Sequence, residues 1–241
     1  MSGLSNLQIS LIDKCLAVLR RIAPPACLLC GEVAGDCGLC RGCREQLPAL
    51  NPQHCPLCAA PTPGSQTCGR CLQHPPQFDR VVAALEYAHP ADALVCSLKY
   101  QGSLGSARPL AYGLADALEQ EPYPDLVLPM PLAAERQAQR GFNQAAEIAR
   151  HVCREFGIPT TISAVHRVRA GVPQALLPWK ERARNVRGVF RCTSDLSGMR
   201  VAVVDDVLTT GATLDALAAE LKRAGARDVV GWIAARAVAQ P

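Results

Sequence analysis

Aromatic side chains are scarce in this chain, with two Trp, four Tyr and four Phe among 241 residues. That scarcity removes the row of stacking platforms on which a single-strand nucleic-acid binder lays its bases. Long apolar runs are missing too. None approaches the roughly 20 residues that cross a bilayer, so no membrane insertion is expected. The opening stretch SNLQISLIDKCLAVLRRI has no basic start or small-residue cleavage site and carries Asp13 and Lys14 mid-stretch. It does not read as a secretory leader. Leu7, Leu11, Cys15, Val18 and Ile22 instead share one stripe of an amphipathic helix, which packs on its own protein or docks a partner. A cytoplasmic location is expected. Charge of one sign is not dominant, since 25 Lys and Arg face 21 Asp and Glu. A hydrophobic content of 49% excludes a mainly disordered chain. The length allows one full-sized core plus a small extra module.

Cysteine is abundant, with 13 residues. In a cytoplasmic protein, where thiols stay reduced, that number argues against a disulfide framework. Cys27, Cys30, Cys40 and Cys43 recur 28 residues later as Cys55, Cys58, Cys68 and Cys71. Each CxxC lets two thiolates reach one ion, and two such knuckles close a tetrahedral shell of four thiolates. The pattern predicts two structural Zn2+ sites with no open position for chemistry. Cys37 also forms a CxxC with Cys40, so the first site has an alternative ligand set. The register of the second repeat favours Cys40 and Cys43. His54, beside Cys55, reads as an exposed turn residue. Eight thiolates and two Zn2+ ions bring the formal charge of +4 close to zero, which removes a nucleic-acid inference from global charge. Locally, Glu135 to Arg187 holds ten Lys and Arg against four Asp and Glu, and that stretch suits a polyanion.

Beyond the cysteines, HPPQFDR marks a connector. The reading is an amphipathic helix over 1–24, a double zinc ribbon over 25–76 and a third domain over 77–241. In the last, DRVVAALEYA, DLVLPM, TTISAVHRV, MRVAVVDD and ARDVVGWIAARAV read as strands. ADALVCSLKY, SARPLAYGLADALEQ, RGFNQAAEIARHVCREFG and ATLDALAAELKRAG read as helices, the last two stopped by Gly157 and Gly225. This alternation predicts an α/β fold with a parallel sheet covered on both faces. Ligands in such folds sit at the carboxyl ends of strands, which is where Asp205 and Asp206 fall.

The stretch VAVVDDVLTTGATL, residues 201–214, runs from a buried strand through two acids into a Thr-rich turn opening a helix. Free backbone N–H groups, the hydroxyls of Thr209, Thr210 and Thr213, and the positive end of a helix dipole suit a phosphate monoester. Gly211 lets the backbone approach closely. The acids accept hydrogen bonds from a sugar diol or face a metal ion. Phosphate donors beside diol acceptors describe a sugar phosphate.

These residues resemble the signature of type I phosphoribosyltransferases for phosphoribosyl pyrophosphate (PRPP). The resemblance implies that Thr209, Thr210, Gly211, Ala212 and Thr213 cradle the 5′-phosphate, and that Asp205 and Asp206 hold the ribose hydroxyls. PMPLAAERQAQRGFNQA, PQALLPWKERARNVRGVF and the paired ribbons are similar to the ComF family of competence proteins, also labelled GntX. Its members join a double zinc ribbon to a phosphoribosyltransferase-like domain of Rossmann-like parallel-sheet type. Met130 replaces the usual valine of the Pro-Val-Pro-Leu turn, and Gly171 stands where threonine is common. The resemblance implies a role in natural transformation, with PRPP as ligand and DNA handled after entry.

Around a pyrophosphate, Arg136 and Arg140 offer bidentate contacts, with a solvated helix start as the alternative for each. Lys99 either neutralises pyrophosphate or lies at the surface. Arg169, Gln174, Lys180, Arg182 and Asn185, interrupted by Pro173 and Pro178, read as a lid that excludes water from a reactive sugar. Trp179 packs that lid or anchors its loop. Turnover would displace pyrophosphate from the anomeric carbon. Mg2+ brought by the substrate and the arginines would stabilise the leaving group, and Asp205 and Asp206 the oxocarbenium-like sugar. Asp205, Asp206 and Arg140 are therefore the catalytic candidates. Three readings stay open: a phosphoribosyltransferase with an unidentified acceptor, a PRPP-binding adaptor without turnover, or ribbons that bind single-stranded DNA or a DNA-uptake helicase or recombination protein.

Overall fold

The computed structural model describes residues 24–161, 164–168 and 188–237. The amphipathic helix expected ahead of them and the lid residues Arg169, Gln174, Lys180, Arg182 and Asn185 lie outside the described residues. The chain divides into two compact units, with the boundary between Gln46 and Leu47.

The first unit holds the first cysteine repeat. Its turn is closed by the Cys27 N–H donating to Glu32 O at 2.6 Å and Gly31 N–H to Cys27 O at 3.0 Å. Ala26 bridges Val33 in antiparallel fashion, and helix α1 (Arg41–Glu45) carries the fourth cysteine. The second unit opens with the same device. Cys55 N–H donates to Ala60 O at 2.7 Å and Ala59 N–H to Cys55 O at 2.9 Å. His54 bridges Pro61, and helix α2 (Gly69–Gln73) carries Cys71. Every one of these partners is displaced by the 28-residue repeat.

The remaining elements of the second unit follow in chain order. Strand β1 (Arg80–Glu86) precedes helices α3 (Ala91–Gln101) and α4 (Ala107–Leu118). Then come β2 (Leu126–Pro129), α5 (Ala134–Arg140) and α6 (Gln144–Phe156). Two short strands, β3 (Val165–Arg167) and β4 (Phe190–Cys192), lead to β5 (Arg200–Leu208), α7 (Ala212–Arg223) and β6 (Asp228–Arg236). Strands β1, β6, β5 and β2 form a wholly parallel sheet in that order.

Burial explains why these segments are strands. All but the first residue of β6 are buried, and Val201 to Val204 of β5 are inaccessible to solvent. Continuous apolar runs of this kind need cover on both faces. Helix α7 covers one face, where Leu214, Leu217 and Leu221 pack into a cluster with Val81, Val203 and Ile233. Each such leucine contributes about 1.5–3 kcal/mol by leaving water. Helices α4 and α6 pack on each other and cover the opposite face.

Three details differ from the sequence expectation. The segment TTISAVHRV meets the main sheet only at its start, where Thr160 bridges Val127 of β2 in parallel, and its later residues Val165–Arg167 pair antiparallel with β4 as a separate ribbon. The helix expected from Arg140 onward begins only at Gln144, and a separate helix ends at Arg140. Gly141 adopts a left-handed φ of 78° that closes α5, and the Asn143 side chain caps α6 by accepting from the N–H groups of Ala145 and Ala146. Strand β5 also continues beyond its two acids, because Val207 and Leu208 still pair with Ala235 and Arg236 of β6.

Candidate functional site

The site forms at the carboxyl edge of the parallel sheet, around the end of β5. Successive strand residues point to opposite faces, so Asp205 and Asp206 diverge. Asp206 turns toward the face covered by α4 and α6 and is only 3% exposed. A buried carboxylate needs a compensating partner, and Lys99 near the end of α3 provides it. Its Nζ lies 2.8 Å from Asp206 Oδ2, close enough for an ion pair but without the alignment of a hydrogen bond. Asp206 Oδ1 accepts the N–H of Val207 at 2.7 Å. Asp205 Oδ1 accepts the N–H of Asp206 at 2.9 Å. Removal from water, and then the Asp206 charge, push the Asp205 carboxyl up to about 8 against the pull of Lys99. Near neutral pH the Asp205 carboxyl therefore favours its protonated form.

Beyond the strand, Thr209 and Thr210 lead into Gly211, whose φ of 80° places it in the left-handed region at the N-cap of α7. Ala212 N–H donates to Thr210 Oγ1 at 3.4 Å. The first backbone N–H groups of a 12-residue helix thus face the end of the sheet, an arrangement suited to an anion. Thr209 is exposed, and Thr210, Ala212 and Thr213 are half-buried.

The candidate arginines stand on α5. Arg140 donates to Gln144 Oε1 at 3.0 Å and lies 5.6 Å from the centre of the Tyr100 ring. Tyr100 directly follows Lys99, so the ends of α3, α5 and β5 converge around these side chains. The Pro129–Leu132 turn is tied to the same edge, with Met130 N–H donating to Val204 O at 2.8 Å and Asn143 Nδ2 to Met130 O at 3.0 Å. Arg136 is exposed on α5 and contributes to the electrostatic field that, after burial, lowers the Arg167 guanidinium.

Two arginines that the sequence reading passed over hold the loop from behind. Arg70, between Cys68 and Cys71, donates to the Thr210 carbonyl. Arg236, 4% exposed at the end of β6, donates to Leu208 O at 2.9 Å, Thr209 O at 2.7 Å and Cys58 O at 2.9 Å. Its signal was a charged residue closing an otherwise apolar strand. Phe78 packs against Gly211, with two ring atoms 3.7 Å from where a β-carbon would stand.

Both cysteine repeats bring their four Sγ atoms within 4.8 Å of one another. Cys30 and Cys40 Sγ are 3.6 Å apart, and Cys58 and Cys68 Sγ 3.7 Å. A tetrahedral ion with Zn–S near 2.3 Å requires an edge of about 3.8 Å, so both sets fit zinc. Backbone N–H groups of Cys43 and Cys68 donate to Cys40 and Cys55 Sγ at 3.4 and 3.3 Å. Burial raises the Cys55 thiol, but the N–H groups around it outweigh that and bring it down to about 7. Cys27 is brought down to about 6 in the same way. Cys37 lies outside the first cluster, its Sγ 3.9 Å from Leu39 O. His54 is half-buried and donates from Nδ1 to Asn51 O, 2.7 Å away, not to the cluster.

Known proteins resemble this chain over most of its length. A double zinc ribbon domain matches residues 18–72, and a phosphoribosyl transferase domain matches residues 138–237. Competence protein F of Haemophilus influenzae is 32% identical, covering 83% of this chain and 91% of its own. DNA utilization protein YhgH of Salmonella typhi is 34% identical, covering 84% of this chain and 90% of its own. Among solved structures, a purine phosphoribosyltransferase from Pyrococcus horikoshii is 22% identical over 50% of this chain and 66% of that one, with a TM-score of 0.32. Among the described residues, no helix is long and apolar enough to cross a membrane.

Proposed function

Because the chain belongs to the ComF family, we propose that it binds PRPP with Mg2+ between Asp205 and Thr213 and transfers the phosphoribosyl group, with release of pyrophosphate, in the handling of incoming DNA. The observation that carries this reading is the joining of two unlike chemistries on one sheet edge. Paired carboxylates sit two residues before the end of a buried strand, and three residues after them a loop opens a helix N-terminus.

Each residue then has a task. Thr209, Thr210, Gly211, Ala212 and Thr213 bind the 5′-phosphate through hydroxyls and N–H groups. Asp205 and Asp206 accept the ribose hydroxyls. The Lys99 ammonium pairs with Asp206 in its buried position, and the carboxylate retains lone pairs for the diol. Arg140, half-buried at the end of α5, and Arg136 offer cationic contacts to the pyrophosphate as it leaves. Lys99 therefore acts first on Asp206, rather than as a free surface charge. Mg2+, bound mainly by the substrate phosphates with help from the acids, neutralises the leaving group. The lid assigned to Arg169, Gln174, Arg182 and Asn185 would exclude water once substrate is bound. The zinc ribbons supply the frame and a surface for single-stranded DNA or for a helicase or recombination protein of DNA uptake, in the cytoplasm.

Calorimetry with Mg-PRPP tests the reading on wild type and on an Asp205→Ala plus Asp206→Ala variant, with zinc content measured on both. Binding by the wild type and a loss of about 100-fold or more in a variant that keeps its zinc is the expected result. Equal binding by the two proteins, or none by the wild type, overturns it. Pyrophosphate release in the presence of cell extract then separates a transferase from a non-catalytic adaptor.

A further inference from the structure

The second cysteine cluster stands apart from the first in what it touches. Cys55, Cys58 and Cys71 are buried in the same apolar cluster as Val203, Leu208 and Leu214, which flank the phosphate loop in sequence. Two cationic side chains reinforce that packing with hydrogen bonds to the loop's own carbonyls. Arg70 lies between two of the four cysteines and reaches Thr210 O. Arg236 joins Cys58 O, inside the zinc knuckle, to Leu208 O and Thr209 O at the mouth of the loop. A guanidinium has a planar fork of five donors and so can hold several carbonyls in one fixed relation. These carbonyls belong to the loop peptides, so holding them fixes the directions of the N–H groups that face the ligand.

We infer that Arg70 and Arg236 are positioning residues through which metal retention at Cys55, Cys58, Cys68 and Cys71 and PRPP binding at 209–213 stabilise each other. The second cluster is then a supporting wall of the ligand site. The inference rests on the PRPP reading above, and adds to it a thermodynamic link between two ligands that share no atom. A loop released from Arg70 and Arg236 samples more backbone states, and ordering it again costs binding free energy. A knuckle whose Cys58 carbonyl is held by Arg236 resists the opening that frees its thiolates. By linkage, whatever factor the metal contributes to PRPP affinity, PRPP contributes to metal affinity.

The decisive measurement needs no variant. The zinc-loaded wild type is treated with a chelator and a thiol-alkylating reagent, and labelling of each cysteine peptide is followed by mass spectrometry with and without Mg-PRPP. Mg-PRPP should slow labelling of Cys55, Cys58, Cys68 and Cys71 by about tenfold, a typical coupling. Arg70→Ala should reduce that slowing to twofold or less at about tenfold weaker PRPP affinity, and Arg70→Lys should restore most of both. Amide exchange across 208–213 without ligand should be faster in Arg70→Ala than in wild type. Arg70 is only half-buried, so this variant folds where an Arg236 substitution risks the core.

Unchanged labelling rates in a protein that demonstrably binds PRPP would overturn the link. If the wild type fails to bind PRPP, that failure belongs to the functional reading, and amide exchange alone decides the arginine bridge. Faster exchange in Arg70→Ala supports the bridge, and unaltered exchange sinks it.

Discussion

The two cysteine clusters began as one 28-residue pattern written twice, and the folded protein has put them to different use. Their turns are nearly superimposable in hydrogen bonding, down to the partners of Cys27 and Cys55. Their surroundings are not alike. In the first cluster only Cys27 is buried, and Cys30 is exposed. In the second, Cys55, Cys58 and Cys71 are all buried, and Cys58 carries the carbonyl that Arg236 holds. A repeat in sequence therefore specifies a local metal geometry and nothing of what that geometry supports. What decides it is the neighbouring surface, here the loop after β5, whose carbonyls accept from Arg70 and Arg236.

The comparison breaks most sharply with one thiolate removed from each side. Cys58→Ser takes a ligand out of the core of the second unit, and loss of a structural metal belongs among the largest single-site effects, at least about 4 kcal/mol. Its main thermal transition should fall steeply, and PRPP binding should become undetectable. Cys30→Ser should lose one zinc while the main transition and PRPP affinity stay near wild type. Similar melting curves for the two variants would mean that the clusters are equivalent after all.

A smaller effect comes from pH, and it separates ligand chemistry from metal chemistry. Asp205 has its carboxyl pushed up to about 8 by burial and by Asp206. The ionised carboxylate accepts hydrogen bonds from a ribose diol more strongly than the neutral acid does. Below about 8 each pH unit should therefore weaken PRPP binding by up to about tenfold. Between pH 8 and pH 6 affinity should decline while zinc content stays at two ions per chain. The stability effect has the same origin. A carboxyl raised in the folded state holds its proton there and loses it in the unfolded chain, so stability falls as pH rises from near 4 toward 8 and then levels. If zinc is lost in step with PRPP affinity, the pH effect belongs to the cluster and the distinction between the two regions weakens.

Much of this molecule was legible in its residues, and the parts that were not share a cause. The apolar run before Asp205, the 28-residue cysteine repeat and Gly157 closing a helix each act over a few residues, so spacing reveals them. The break at Gly141 departs from the helix expected over 140–157, although Asn143, a strong N-cap residue, carries its signal. Arg236 and Cys58 are 178 positions apart in sequence, and no local pattern predicts their contact. The same is true of Lys99 beside Asp206. The separate β3–β4 pair escaped notice because a three-residue strand carries too little periodicity to say which sheet it joins. Spacing thus groups the residues read as a sugar-phosphate site, but not the ones that brace them.

The smallest predicted effect tests how far packing has changed the knuckle itself. The residue after the first CxxC of each repeat adopts a left-handed φ, 81° at Gly31 and 54° at Ala59. Gly31 adopts it without strain, and nothing lies within 4 Å of where its β-carbon would be. Gly31→Ala therefore gains no packing to offset the backbone cost of about 1–2 kcal/mol. Labelling of Cys27, Cys30, Cys40 and Cys43 under chelator should accelerate by several-fold. Ala59 bears the same strain but is wholly buried in the core, where its methyl group contributes roughly 0.8 kcal/mol. Ala59→Gly relieves strain and empties that space together, so metal retention and stability should move by less than about 1 kcal/mol. The two reciprocal substitutions differ in sign of strain and in what surrounds the β-carbon. If Ala59→Gly instead tightens the second cluster by several-fold, the methyl is not anchoring the knuckle, and the hold on it rests on Arg236 alone.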